Sequence, residues 1–239
     1  MSAQGGLKKI YIIGASGFAK EVVWLIERIN AVSLTWEIMG YIEDNEDLYG
    51  KVVCGYPVLG GHDVIEQWPE EIWVIAAIGS PRARKHTISR VSPFSHIRFA
   101  TLIDPGVVIS EAVEIGEGSM ICAGSVLTVD VRIGNHVIIN LDCTIGHDAV
   151  LEDYVTLYPS VNVSGSVTVG TGSELGTSSA IIQSVHIGRN VVIGAGAVVI
   201  RDIQNDVTAV GNPAKPLRIR DSSDTRKGTR GVCTELPPN

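Results

Sequence analysis

Counting in sixes from Ile103, every position through Ile109, Ile115, Ile121, Leu127 and onward to Val199 is Ile, Leu or Val. Neither an α-helix nor a hairpin meander carries that period. The positions two residues earlier, among them Val107, Ser119, Val137, Cys143, Val155 and Ala197, are small or branched. In a strand, residues i and i−2 share a face, so both registers point inward. Just after each sixth residue gather Gly116, Gly134, Asn140, Gly146, Gly170, Gly176, Gly188 and Gly194, which are read as corners. One short strand and one corner per hexapeptide, three hexapeptides to a turn, describe a parallel β-helix of triangular section with eighteen residues per coil. Residues 103–199 make about five coils, with rungs about 4.8 Å apart. Each buried aliphatic contributes roughly 1.5–3 kcal/mol before chain entropy is subtracted.

The first hundred residues read differently. Lys8 to Ile13 is a β-branched strand, Gly14-Ala15-Ser16-Gly17 a tight turn, and Phe18, Val22, Val23, Leu25 and Ile26 follow helical spacing. Further strands are expected over 36–42, ending in Glu43-Asp44, and over 72–78, ending in Gly79-Ser80. Strands alternating with helices suggest a small parallel α/β, Rossmann-like domain whose ligand sits at the carboxyl ends of the strands. The turn at Gly14, Ser16 and Gly17 would offer backbone N–H groups to a phosphate at a helix start. Alternatively it lets the helix pack closely on the strand. Glu43 and Asp44 would accept hydrogen bonds from a ribose or base, with Gly79 and Ser80 completing the nucleotide site. The turn lacks G-x-G-x-x-G, so a nicotinamide dinucleotide is not supported. The division expected is 1–100 for this domain, 101–218 for the β-helix and 219–239 for a polar tail. The first domain can cover one open end of the prism.

A net charge of −7 and a pI near 5.3 argue against a nucleic-acid binder, whose affinity comes from clustered Lys and Arg. No stretch reaches the ~18 apolar residues of a membrane span, so a soluble, cytoplasmic protein is expected. Cys54, Cys122, Cys143 and Cys233 form no C-x-x-C pair and are read as reduced packing residues. With aromatics at 5% and 26 glycines, the core must be built from aliphatics on a backbone that turns often.

Of the histidines, His147 stands out because it falls two places after Ile145, on a corner that projects outward, and Asp148 follows it. A neighbouring carboxylate can orient an imidazole for proton transfer. From the residues alone a solvated surface histidine explains it as well. Gly165 lies eighteen residues on and therefore stacks on the same edge, where its bare backbone N–H is open to approach.

The stretches IYIIGASGFAKEV, GYIEDNED, AAIGSPRAR, VIINLDCTIGHDAVLEDYV, IGRNVVIGAGAVVIRDI and VGNPAKP resemble the bacterial sugar O- and N-acyltransferases of the left-handed β-helix superfamily. The resemblance runs from Lys9 to about Arg218, and sialic acid O-acetyltransferase and the UDP-4-amino-sugar N-acetyltransferase of bacillosamine synthesis are similar. It implies a left-handed coil, a homotrimer with sites between subunits, and acetyl-CoA as co-substrate with no metal. His147 would be the general base and Asp148 its partner. The Gly165 amide would contact the thioester carbonyl, and Gly194, Ala195 and Gly196 of a neighbouring chain would line the pantetheine. Asn212-Pro213-Ala214-Lys215 resembles the loop that closes on the coenzyme's nucleotide end; a Pro-terminated end to the solenoid is the other reading. Asn140 matches a position facing the acceptor, or is a corner asparagine in left-handed geometry.

Two departures limit what the resemblance carries. Phe18 stands where many relatives have His, and Thr156 where some have a second His near the coenzyme. The function expected is acetyl transfer to the amino group of a nucleotide-linked sugar, with O-acetylation of a sialic-acid-like or other sugar hydroxyl as the alternative. A zinc site of the β-helical carbonic anhydrase kind needs three convergent histidines. His136, His147 and His186 differ by 11 and 39 residues, which puts them at unrelated points of the coil. A passive rod would rank Thr on one outer face, and no such rank occurs.

Overall fold

The structure is a computed structural model that describes residues 6–66 and 68–219. The polar tail expected from 219 onward lies outside the described residues except for Ile219, as does Cys233.

The N-terminal half is built on β1 (Lys8–Ile13), α1 (Gly17–Val32), β2 (Trp36–Ile42), β3 (Val52–Val53), β4 (Tyr56–Gly60), α2 (Asp63–Glu66), β5 (Ile72–Ala76), α3 (Pro81–Val91) and β6 (Ile97–Phe99). The strand order is β3-β4-β2-β1-β5-β6, parallel except for the β3–β4 pair. Because β1, β2 and β5 run the same way, the turns that follow them share one edge of the sheet. α1 buries Ala19, Val22, Val23, Leu25 and Ile26, the face its spacing dictates. Its last turn is tied to β2 through Asn30, whose Oδ1 accepts from the Trp36 amide at 2.9 Å and whose Nδ2 donates to the Trp36 carbonyl at 2.8 Å. Ser80 caps α3 and Pro81 opens it, the usual residues for a helix start.

From Leu102 the chain winds into two-residue strands that pair in parallel with strands one coil away. They form three flat faces: a first through rungs such as 120–121, 138–139, 156–157 and 174–175, a second through 126–127, 144–145 and 162–163, and a third through 132–133, 150–151 and 168–169. The inward registers make one continuous core, with Leu151, Val155, Leu157, Val169, Leu175 and Ile187 wholly buried. The last coil is shorter. Ile187 bridges Ile203 and Val192 pairs with Thr208, sixteen residues on, and residues Lys215–Ile219 return antiparallel to Val207–Val210.

Several expectations are corrected. The corner residue is not the one after the clock position but two further on: Asp130, His136, Asp142, Asp148, Ser160 and Asn190 hold φ between 52° and 60°. Short polar side chains that bond locally tolerate this conformation, so glycine is not required. The glycines just after the clock residue answer to crowding instead: a Cβ on Gly146 would lie 2.5 Å from the Gly165 nitrogen, and one on Gly170 2.6 Å from the Gly188 carbonyl carbon. Asn140 accordingly is not left-handed. Cys54 is not a packing residue; it is exposed at φ 47° in the β3–β4 turn, while Cys122 and Cys143 are buried. β5 ends at Ala76, short of Ile78.

The N-terminal half does not cover an end of the prism. It covers the first face, where the outward residues Leu102, Met120, Ile138 and Thr156 are fully buried, the first three packed with the α1 core. Arg84 fastens the junction from α3. It is 1% exposed and donates to the carbonyls of His136, Tyr154, Ile78 and Gly79 at 2.7–3.0 Å and to Thr156 Oγ1 at 3.0 Å. Burial pulls its guanidinium down to about 10, against the pull of Glu174, which still leaves it charged at neutral pH.

Candidate active site

His147 leaves the edge between the second and third faces, the corner between strands Thr144–Ile145 and Val150–Leu151. Its Nδ1 lies 2.7 Å from Asp148 Oδ2, and both side chains are more than half exposed. Asp148 takes the left-handed corner at φ 58°, which turns its carboxylate back toward the imidazole. One coil above, the ring lies against Gly165: a Cβ there would stand 2.5 Å from Nε2 and 2.6 Å from Cε1. The Gly165 carbonyl accepts from the Ser184 amide, but its own N–H meets no acceptor among the described residues. The corner thus presents an oriented imidazole, its Nε2 without a partner among the described residues, beside an unused backbone donor, a pairing suited to taking a proton and holding an oxyanion.

The edge between the first and second faces carries other candidates. Gly194, Ala195 and Gly196 follow the rung at Val192–Ile193. Gly196 is left-handed at φ 66° with open space around it, whereas a Cβ on Gly194 would meet Val210 at 2.6 Å. The loop with Asn212 and Pro213 folds onto the same edge, with the Ala214 amide donating to the Val198 carbonyl at 2.7 Å, and exposed Lys215 opens the strand beyond. Asn140 lies lower on this edge; it is nearly buried, and its Oδ1 accepts from the Leu141 amide at 2.7 Å. The structure brings Gly194–Gly196 and Lys215 to one end of this edge and does not bring His147 there. In the triangular section His147 stands at the corner opposite the first face, so it faces away from its own N-terminal half.

The remaining candidates share the carboxyl edge of the N-terminal sheet. The turn at Gly14 packs on Ala77, with Gly14 at φ 97°. Two of its amides are spent: Gly14 donates to the Ile42 carbonyl and Ala15 to Glu43 Oε2 at 3.0 Å. Those of Ser16 and Gly17, both exposed, meet no acceptor among the described residues, and Ser16 makes no side-chain cap. Glu43 therefore shapes the turn, its Oε1 also accepting from the Asn45 amide. Asp44 is claimed as well, by His62 Nδ1 at 2.6 Å and Arg90 Nη1 at 2.7 Å. Burial pushes its carboxyl up, but those bonds outweigh it and hold the group at about 2. Gly79 offers its carbonyl to Arg84 and Thr156, and the Ser80 hydroxyl caps α3. Thr156 is buried at this junction. Phe18 packs with the α1 core.

His62, Arg84, Arg90, Tyr158 and Glu174 were not anticipated. Eighteen-residue arithmetic sets Glu174 over Thr156 and Gly176 over Tyr158, so the diagonal pairing of Tyr158 with Glu174 is not read from the period; nothing in the pattern singles out the others. A groove of about 300 Å³ on the third face, lined by Glu114, Arg132, Glu152 and Thr171 among others, holds none of the candidates.

Residues 9–91 match the PglD N-terminal domain family and residues 94–128 the bacterial transferase hexapeptide (six repeats) family. A variant of the perosamine N-acetyltransferase from Caulobacter crescentus, in complex with CoA and GDP-perosamine, is 32% identical with a TM-score of 0.77, over 90% of this chain and 97% of that one. The acetyltransferase domain of PglB from Neisseria gonorrhoeae, in complex with acetyl coenzyme A, is 30% identical with a TM-score of 0.79, over 89% of this chain and 100% of that one. WeeI from Acinetobacter baumannii is 30% identical with a TM-score of 0.79, over 88% of this chain and 100% of that one. A comparison with curated protein sequences finds no match.

Proposed function

The chain belongs to the left-handed β-helix sugar acetyltransferases with a PglD-type N-terminal domain, and we propose that it transfers acetyl from acetyl-CoA to the amino group of a nucleotide-linked sugar, with His147 as general base. The observation that carries this reading is the imidazole held by Asp148 and lying against Gly165, with neither Nε2 nor the Gly165 amide bonded among the described residues. Support for the substrates comes from the Caulobacter enzyme, found with CoA and GDP-perosamine, and from the Neisseria domain, found with acetyl coenzyme A.

In this reading Nδ1–H donates to Asp148, which fixes the tautomer and leaves the Nε2 lone pair toward the amine. The neutral amine attacks the thioester carbon; the C–N bond forms and the carbonyl oxygen takes the electron pair, steadied by the Gly165 N–H. Nε2 removes the nitrogen's proton. The C–S bond then breaks, and the imidazolium returns that proton to the departing thiolate, giving the amide and free coenzyme A. The acceptor's nucleotide would lie at Gly14, Ser16, Gly17, Glu43, Asp44, Gly79 and Ser80, with Asn140 toward its sugar. Gly194, Ala195, Gly196 and Lys215 would flank the coenzyme.

Since His147 faces away from its own nucleotide domain, the reaction needs a second copy, whose Gly194–Gly196 edge and N-terminal half meet this chain's His147. A closed ring of three such contacts is the expected assembly. No described helix is long and apolar enough to cross a membrane, and a coenzyme A donor suits a cytoplasmic reaction.

The test is thiol release from acetyl-CoA with a panel of GDP-, UDP- and dTDP-linked amino sugars, using wild type and His147→Ala. Loss of ~10²–10⁴ in kcat is expected. An undiminished His147→Ala variant would sink the mechanism, and acetylation of hydroxyl sugars irrespective of any nucleotide would favour O-transfer instead.

A further inference from the structure

Glu174 is a part-buried carboxylate that the fold does not account for. It leaves the first face in register with Thr156 on the rung below, and Thr156 Oγ1 donates to the Gly79 carbonyl at 2.9 Å. Glu174 therefore leaves its strand one rung, about 4.8 Å, beyond the rung whose Thr156 bonds the Gly79 carbonyl. One rung further, in register with Glu174, is Val192, and Gly194, Ala195 and Gly196 follow it. Glu174 lies midway along the axis between the two binding regions that one copy contributes, the acceptor's turn below and the coenzyme's edge above.

Its polar surroundings are incomplete. The Tyr158 hydroxyl donates to Oε2 at 3.0 Å, and no other hydrogen bond or ion pair reaches the carboxylate among the described residues. Burial and the Glu174 charge push the Tyr158 phenol up to about 12, so it remains a neutral donor. Arg84 is close enough to feel the charge, but its donors are spent on carbonyls and Thr156. The carboxylate is thus drawn partly out of water with one neutral donor on Oε2, and Oε1 is left open to a further donor among the described residues.

We propose that Glu174, oriented by Tyr158, binds the amino nitrogen of the acceptor sugar and selects an amine over a hydroxyl; this rests on the acetyl-transfer reading above. The amine arrives as an ammonium, the charge complement of Oε1, and sheds one proton to solvent before it attacks. The neutral amine still has two N–H groups, one for Oε1 and one for Nε2 of His147 from the adjoining copy. Its nitrogen becomes positive as the C–N bond forms, and the carboxylate stabilises that charge until His147 takes the second proton. A hydroxyl has a single proton for two acceptors, so its oxygen lone pairs would confront Oε1.

The test uses acetyl-CoA with GDP-perosamine and UDP- and dTDP-linked 4-amino sugars. The counterpart of each with a hydroxyl in place of the amine serves as competitive inhibitor. If wild type acetylates none of the amines, the acetyl-transfer reading itself falls and this assignment with it. Given turnover, Glu174→Gln raises the KM for the amine on the order of tenfold to a hundredfold. It leaves the KM for acetyl-CoA unchanged and the inhibition constant of the hydroxyl compound unchanged or lower. Tyr158→Phe gives a smaller rise of the same kind and serves if the Glu174 variant does not fold. Unchanged KM in both variants, or equal weakening of amine and hydroxyl compounds, overturns the assignment.

Discussion

Gly165→Ala tests whether the imidazole's position, and not merely its presence, matters. The added methyl carbon would sit 2.5 Å from His147 Nε2, 2.6 Å from Cε1 and 2.9 Å from Cδ2, where ordinary contact begins at 3.4 Å, so the ring must retreat by about 1 Å or swing away. Gly165 is not in the left-handed region, so alanine meets no backbone strain, and the half-exposed His147 has water to move into. Folding should therefore be unharmed or slightly favoured, by ~0.4–1 kcal/mol through the unfolded chain. Catalysis should not be unharmed. A displacement of about 1 Å at the reacting groups costs on the order of 10²-fold, or ~2.7 kcal/mol of barrier. The assay pairs thiol release from acetyl-CoA with a thermal melt, in the wild-type and His147→Ala backgrounds. A kcat loss in the first background, none in the second, and an unchanged melting temperature are expected. A variant that keeps wild-type kcat, or one that loses activity only because it melts earlier, would refute the reasoning.

Arg84→Met leaves the carbonyls of His136, Tyr154 and Ile78 without their donor, while Gly79 keeps the Thr156 hydroxyl; at ~1–3 kcal/mol for each stranded buried group, urea unfolding should show a loss of at least about 3 kcal/mol. His136 is held down at about 4 by burial, with the Arg84 charge adding to it, so the unfolded chain binds this proton more readily than the folded one. Stability should then be full above the unfolded value near 6.5 and be lost as pH falls toward 4, with a slope of up to ~1.4 kcal/mol per pH unit. His136→Asn, which tolerates the same left-handed corner, should flatten that stretch of a stability-versus-pH curve measured by denaturant titration.

The β-helix could be read from the chain because its stabilising interactions recur at a fixed interval: one inward aliphatic per hexapeptide is a packing rule visible in one dimension. The corners were misplaced by two residues for a related reason. Crowding by the next coil excludes any side chain at Gly146 or Gly170 and so leaves a glycine signature, whereas the left-handed residue itself tolerates Asp, Ser, Asn, His or Tyr and leaves none. The seat of the N-terminal half was not legible. It depends on which cation of PRARKHTISR turns inward, and Arg82, Lys85 and Arg90 are as basic as Arg84 but are exposed. Glu43 and Asp44 were placed at the correct edge by the strand order, yet their bonds to Ala15, His62 and Arg90 join segments distant in sequence.

A stack of like rungs has no intrinsic length, and its uppermost strand offers unpaired N–H and C=O groups on which a foreign chain could continue. Here the final turn is two residues short, and Lys215–Ile219 lies across the top of the first sheet in the reverse direction. The Ala214 amide and the Gly211 carbonyl likewise occupy the main chain of Val198, the last rung of the second sheet. Growth of the column is thus arrested by a change of period and a change of direction. That keeps a shape built like a segment of fibre from lengthening end to end.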